Sequence, residues 1–361
     1  MPYGTFYGSI IGRNASVAQI GRFDLVVGHL TSGSLYTFSS FTFTPAGATG
    51  QQGPTYAQTQ SNYNTGANSW LTNTSYFNIT TQGIQEWTVP ASGTYRIQAA
   101  GASGGIHAGN YFPAFPGAGA TVQADVVLTG GEKIYIVIGQ KPTSIASEGA
   151  NGSGGGGGTF IYRGASATAG IGGGGLILVA GGGGGSGHGS SGSTGGNGVG
   201  GSSTNDSNER SAGSTFGVNS RQGNGSVGNL GSGLGGRATT TSQAGGTSGG
   251  AGWGGDGQNT TLTSGNTGGL RFIGGTSEDG ASQHGGFGGG GPGGGNGNAG
   301  GGGGGYTGGG AGGGWTSVYW GGGGGGGSYV ISGATNITMT EGASGINYAD
   351  TANGYATITK L

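Results

Sequence analysis

Residue types that could carry catalysis or hold a metal are sparse in this chain, and none is spaced to act. The histidines, His29, His107, His188 and His284, stand isolated, and none has a partner at metal-ligand spacing, so structural or surface roles are expected for them. There is no cysteine, which excludes disulfides, thiolate metal sites and cysteine nucleophiles together. The 12 acidic residues form no calcium-loop pattern. The string G-x-S-x-G occurs at 101–105 and 246–250, but neither copy leads from a strand into a helix, the turn that would expose a serine nucleophile. Matches to G-x-G-x-x-G are numerous, as 103 glycines in 361 residues make them by chance; none opens a helix, and no Walker lysine follows. The N-x-S/T triplets at Asn73, Asn78, Asn259 and Asn336 also read as chance in so Asn-, Ser- and Thr-rich a chain. No enzyme, cofactor or metal is expected.

The chemistry that remains is recognition by aromatic side chains. Trp253, Phe272, Phe287, Tyr306, Trp315, Tyr319 and Trp320 punctuate the glycine runs. The hexapeptide WTSVYW, 315–320, lies between two such runs and is expected as an exposed turn at one end of whatever they form. Trp315, Tyr319 and Trp320, with Trp253 and Tyr306, are therefore candidate receptor-binding residues, because Trp and Tyr dominate binding hot spots and supply contact area at little entropic cost. The alternative is that these rings pack as lids on the glycine runs or against the strands.

The elements that would position them are strands. Alternation of apolar and polar residues at 35–38 and 41–43, then over GIQEWTVP and TYRIQAAGA on either side of a turn at 91–93, predicts a hairpin-like pair. A second pair of the same kind is predicted from ATVQADVVL, the turn TGGE and KIYIVIG, 120–139. TFIY, LILVA, SYVI and GYATITKL read as further strands, and the polar stretch after Thr55 as a loop or one short helix. No window sustains a helical repeat. The expected fold is all-β: a β-sandwich of jelly-roll type with few helices. Its parts would be an N-terminal β-rich region (1–80) for attachment or oligomerisation, sandwich strands (81–180), a glycine-rich array (181–327), and C-terminal strands completing the sandwich (328–361).

Charged residues make up only 6% of the chain and hydrophobic residues 31%, both low for a globular domain. A net charge of −1 without a basic cluster argues against nucleic acid. No apolar stretch reaches spanning length, so no membrane insertion is expected. Residues 1–14 lack the basic start and apolar run of a secretion signal, so release by the usual secretory route is not expected.

Glycine runs of this kind either stay flexible or order one another. An aromatic content of 9% favours a folded protein. Polyglycine can adopt a left-handed helix of three residues per turn with no internal hydrogen bonds, so its N–H and C=O groups point outward and can pair with those of side-by-side helices. Ordering glycine costs at the high end of about 1–2 kcal/mol per residue, so one such helix cannot form alone but an array can. Gly181, Gly183, Gly288, Gly290, Gly303 and Gly324 are the expected scaffold positions.

The succession GIQEWTVPASGTYRIQAAGASGG, VVLTGGEKIYIVIGQ, GGGGGTFIY, LILVAGGGGGSG and GGGGGGGSYV, within about 83–361, resembles the glycine-rich extracellular domain of anaplastic-lymphoma-kinase-type receptors. That resemblance implies a tumour-necrosis-factor-like sandwich with a bundle of polyglycine helices. Signalling does not carry over, since no kinase domain and no cysteines accompany it. The segment FTFTPAGATGQQGPT is similar to modules preceding this domain in phage and giant-virus structural proteins and in some large microbial surface proteins. The architecture, without an alignable motif, also resembles tail-fibre-tip adhesins of T-even-type phages. The implied protein is a non-enzymatic virion component that contacts other tail proteins and a host surface molecule. It would be a homo-oligomer, with a trimer as the expected form. The rival is a purely structural surface protein, such as a capsid decoration or matrix filament. A receptor-ligand module is the third and weaker reading.

Overall fold

In the computed structural model the described residues are 33–106, 114–142, 152–188, 238, 247–260, 267–277, 283–294, 299–316 and 319–361. The chain falls into two units, Met1–Gly33 and Ser34–Leu361, and the sandwich and array belong to the second. His29, His107 and the first 32 residues of the expected N-terminal region lie outside the described residues.

The elements are β1 (Ser40–Phe43), α1 (Tyr56–Asn62), β2 (Phe77–Asn78), β3 (Ile84–Thr88), β4 (Gly93–Ala100), β5 (Thr121–Leu128), β6 (Lys133–Val137), β7 (Thr159–Arg163), β8 (Leu176–Ala180), β9 (Gly314–Thr316), β10 (Tyr319–Trp320), β11 (Tyr329–Val330), β12 (Thr335–Thr340) and β13 (Tyr355–Lys360). A five-stranded antiparallel sheet runs β1-β13-β4-β5-β12, and a six-stranded one runs β11-β8-β7-β6-β3-β2. Together they make an all-β sandwich. The polar stretch after Thr55 forms the short helix α1, started by a capping box: the Gln58 N–H donates to Thr55 Oγ1 (3.3 Å) and the Thr55 N–H to Gln58 Oε1 (2.8 Å).

The two predicted hairpins do not form. β3 pairs with β6 (Trp87 opposite Ile134), and β4 with β5 (Ile97 opposite Ala124). The turn at 91–93 and the turn at 129–132 each carry the chain from one sheet to the other. They brace one another, the Val89 N–H donating to the Glu132 carbonyl and the Gly130 N–H to Ser92 Oγ, both at 2.9 Å. Alternation around a short turn fits a hairpin and a sheet-to-sheet corner equally. Here the buried Val89 and Pro90 decide for the corner, since Pro90 cannot donate to a ladder.

The expected boundary at residue 80 also moves, because β1 is an edge strand of one sheet and β2 of the other. Tyr36, Phe38, Phe41 and Phe43 enter the main core beside Trp70, Phe77, Trp87 and Tyr95, largely through edge-to-face and tilted ring contacts. Tyr63 ties this segment to β3, its hydroxyl lying 2.6 Å from Gln85 Oε1, and burial pushes its pKa up to about 12.

The six-stranded sheet is buried on both faces. Ile134, Ile136, Ile161 and Leu178 face the other sheet, while Tyr135, Val137, Phe160, Tyr162 and Val179 face outward into a second core with Trp253, Phe272 and Phe287. This explains why KIYIVIG and LILVA read as continuous apolar runs rather than alternating ones.

The second core is built by the glycine array. The run 181–186 shows its rule. Gly182 and Gly185 donate to the carbonyls of Gly304 and Gly301, and Gly183 and Ser186 to those of Ala102 and Gly105. In return its carbonyls accept from Ala120 and Gly117, from Gly156 and Ser153, and from Gly326 and Gly323. Every pairing steps by three residues, as a threefold polyglycine helix requires. The run 300–305 is surrounded by six segments: it donates to 321–327, 153–156 and 248–251, and accepts from 182–185, 309–312 and Gly291. The array therefore reaches beyond 181–327, drawing in 101–105, 117–120 and 152–158 from between sandwich strands. Gly172–Gly175, by contrast, lies in an ordinary loop before β8.

Close approach is what glycine supplies. A Cβ on Gly181 would fall 2.0 Å from the Gly326 carbonyl oxygen, on Gly183 1.9 Å from that of Gly117, on Gly290 2.2 Å from that of Gly155, and on Gly303 2.3 Å from that of Gly182. Gly324 accepts from Gly303 and donates to Gly310. Gly288, at φ +99, plays a different part, since with Gly289 it turns the chain sharply where a side chain would be strained.

On the solvent face of the five-stranded sheet, Asp125 takes a two-pronged bond from Arg96 (2.8 and 2.9 Å) and a third from Asn336 Nδ2 (2.6 Å). The Arg96 bond first, then that of Asn336, holds its carboxyl below the usual carboxylate range.

Two outcomes are expected. Gly303→Ala destabilises by about 3 kcal/mol or more, since only backbone can yield, whereas Gly174→Ala, with open space at its Cβ, stays within about 0.5 kcal/mol of the parent in urea unfolding. Because the folded pKa of Asp125 is depressed, its contribution is fully present above about pH 5 and fades as pH falls below about 4. The stability gap between the parent and Asp125→Asn should therefore narrow on acidification; a gap constant from pH 7 to pH 3 refutes this.

Candidate functional site

The hexapeptide 315–320 sits at the end of two neighbouring array segments. Segments 307–313 and 321–327 run antiparallel, with Gly321, Gly324 and Gly327 donating to Gly313, Gly310 and Thr307 at 2.7–2.9 Å. β9 and β10 continue that pair as a two-stranded ladder, Trp320 opposite Gly314 and Tyr319 opposite Thr316, with an irregularity between Tyr319 and Trp320. The expected turn thus lies between two short strands that grow out of the array. The structure describes the backbone of these two strands, while the side chains of Trp315, Tyr319 and Trp320 lie outside the described residues.

Trp253 and Tyr306 are placed apart from that hairpin's ladder and have packing partners of their own. Trp253 is only 5% exposed; it lies against Phe160, Tyr162 and Phe272, and its indole N–H donates to the Gly173 carbonyl (3.0 Å). Tyr306 is half-buried and stacks on Tyr329 with ring centres 4.8 Å apart. Phe287 seats its ring where side chains on Gly53 and Gly83 would otherwise sit, 2.5 and 2.2 Å from their Cβ positions. These aromatics fasten the array to the sandwich. The signal available in the sequence was the continuous apolar character of β6, β7 and β8, which demands a cover on the outer face.

The serines of the two G-x-S-x-G strings and His284 are engaged with backbone. Ser103 Oγ bonds both the carbonyl (3.1 Å) and the N–H (2.9 Å) of Ala352, and Ser248 Oγ accepts from the Thr260 N–H (3.3 Å). His284 Nδ1 accepts from the Ser277 N–H (2.9 Å), and burial lowers its pKa. Among the described residues no three His, Asp or Glu side chains converge as metal ligands, and no helix is long and apolar enough to cross a membrane.

No family model matches the chain. A stretch of 107 residues is 36% identical to the leukocyte tyrosine kinase receptor of Mus musculus. The match takes in 30% of this chain and 12% of that receptor's length. The chain is thus an all-β, glycine-rich protein with partial similarity to a receptor of the anaplastic-lymphoma-kinase type.

Removing the cover should cost as a core truncation does. Trp253→Ala is expected to lower stability by about 3–5 kcal/mol in denaturant unfolding; a loss under about 0.5 kcal/mol would place the ring at the surface instead.

Proposed function

We infer that this protein is a non-enzymatic virion component, a phage tail-fibre or tail-tip adhesin. In this reading the polyglycine array is a rigid mount and the 315–320 hairpin contacts a host surface molecule, glycan or protein. The observation that carries the reading is the continuity of the hairpin with two array segments, from the Gly321–Gly313 bond directly into the Trp320–Gly314 pair. Three of the six residues 315–320 are aromatic, and on such a mount aromatic residues would supply contact area at little entropic cost. Tyr306 would support the mount through Tyr329, and Trp253, being buried, would act on packing alone. The similarity to part of a receptor supports recognition only in so far as the matched protein is itself named a receptor. The reading includes a homo-oligomer, a trimer by analogy with the sandwich type, and attachment to other tail proteins through residues near the N-terminus.

A second reading, a purely structural surface protein such as a capsid decoration or filament component, is favoured by one observation. Trp253, Phe272 and Phe287 all serve internal packing, so aromatics among glycine runs need no ligand to explain them.

The two readings separate on a double variant. Trp315→Ala with Trp320→Ala should cut binding to host cells at least about tenfold, as hot-spot truncation does, while the melting temperature is unchanged. Undiminished binding would exclude the hairpin as the contact; labelling along a capsid lattice or filament, away from a tail tip, would favour the structural reading.

A further inference from the structure

A cleft of about 460 Å³ opens beside the ends of β6 and β7, against the loop of residues 164–175. Its polar lining is Glu132, Lys133 and Arg163, and most of the rest is bare glycine backbone, including Gly170 and Gly174. Strand register places these charges together, since Arg163 lies opposite Ile134, next to Lys133. The loop is pinned to the strand by the Arg163 N–H, which donates to the Gly175 carbonyl (2.8 Å). A side chain on Gly175 would fall 1.9 Å from the Arg163 carbonyl oxygen, so backbone lies directly on backbone there as well.

The charges are not equally engaged. Lys133 Nζ is 3.1 Å from Glu86 Oε2, and Glu86 is buried and also bonded by Thr80. Arg163 Nε is enclosed and lies 3.6 Å from Glu132 Oε2, an ion pair too long for a hydrogen bond. That contact holds the guanidinium in place without using its fork. Among the described residues nothing accepts from its terminal nitrogens, and the side chain keeps 41% of its exposure at the cleft.

We propose that this cleft binds an acidic sugar, with the guanidinium of Arg163 taking the sugar's carboxylate or sulfate. The planar fork of arginine matches two oxygens of such a group. Lys133, its charge already paired with Glu86, lines the same wall with its half-exposed side chain, and Glu132 accepts from a ring hydroxyl. The size of the cleft is in the range of small-molecule sites and far exceeds a bare ion. Among its lining residues only Ala169 brings an apolar side chain, and the exposed peptide groups of the glycines suit hydroxyls. This site is separate from the 315–320 hairpin and does not rest on the adhesin reading.

The test is NMR titration of the full chain, following the Arg163 Nε–H and the Gly174 amide, with D-glucuronate, galactose 6-sulfate, D-glucose and acetate as probes. Saturable shifts are expected from both acidic sugars and none from glucose, with acetate weaker than glucuronate by about tenfold or more. Arg163→Met should weaken glucuronate binding about tenfold or more, the loss expected for charged hydrogen bonds. Gly174→Leu, at a position that lines the cleft and has open space at its β-carbon, should block it with the melting temperature unchanged, and so keeps the test decisive where Arg163→Met unfolds. No saturable shift with either acid, equal response to glucose, acetate binding as well as glucuronate, or glucuronate binding undiminished in both variants would each overturn the proposal.

Discussion

The structure depends on contact between backbones with nothing between them. At position after position in the array a β-carbon would overlap a neighbouring carbonyl, with the oxygen about 2 Å away at Gly181, Gly183 and Gly303. That distance is what lets N–H reach C=O across helices with no bonds of their own. An ordinary domain of this length would offset its loss of conformational entropy mainly by burying apolar side chains. Here a large share of the buried material is peptide group, and its satisfaction by hydrogen bonds is the condition for its being buried at all.

The sandwich and the array are made by one another. The runs 101–105, 117–120 and 152–158 leave sandwich strands and enter the array, and the array returns Trp253, Phe272 and Phe287 to cover the outer face of the six-stranded sheet. Neither part has a complete core alone. Phe287, seated over Gly53 and Gly83, is the plainest joint: two glycines from the sandwich side leave room for one ring from the array side.

Much of this was legible in the sequence, and the misreadings share a cause. The strands were visible from apolar content and turns, and the three-residue helix from the length of the glycine runs. Pairing was not. GIQEWTVP and TYRIQAAGA flank a turn suited to a hairpin, yet they belong to different sheets, because what selects the partner of β3 is the burial of both its faces, a property of residues far away in the chain. The aromatic residues were likewise visible, but not their allocation. Trp253 and Trp315 both stand beside glycine, and only the three-dimensional path shows that the first lies under a sheet while the backbone of the second extends beyond two array segments. The cleft at Glu132, Lys133 and Arg163 left no trace in the sequence, since it arises from strand register and the course of a glycine loop.

The threefold step of the array has a consequence for how such a protein can vary. Each residue in a run such as 300–305 points its N–H at a different neighbour, and the same neighbour returns only at the third residue. Losing one residue would turn every later donor by a third of a revolution, away from its acceptor. The runs are therefore read in triplets, with a reading frame in space. Within a run, a change of length that keeps every later donor on its acceptor comes in threes.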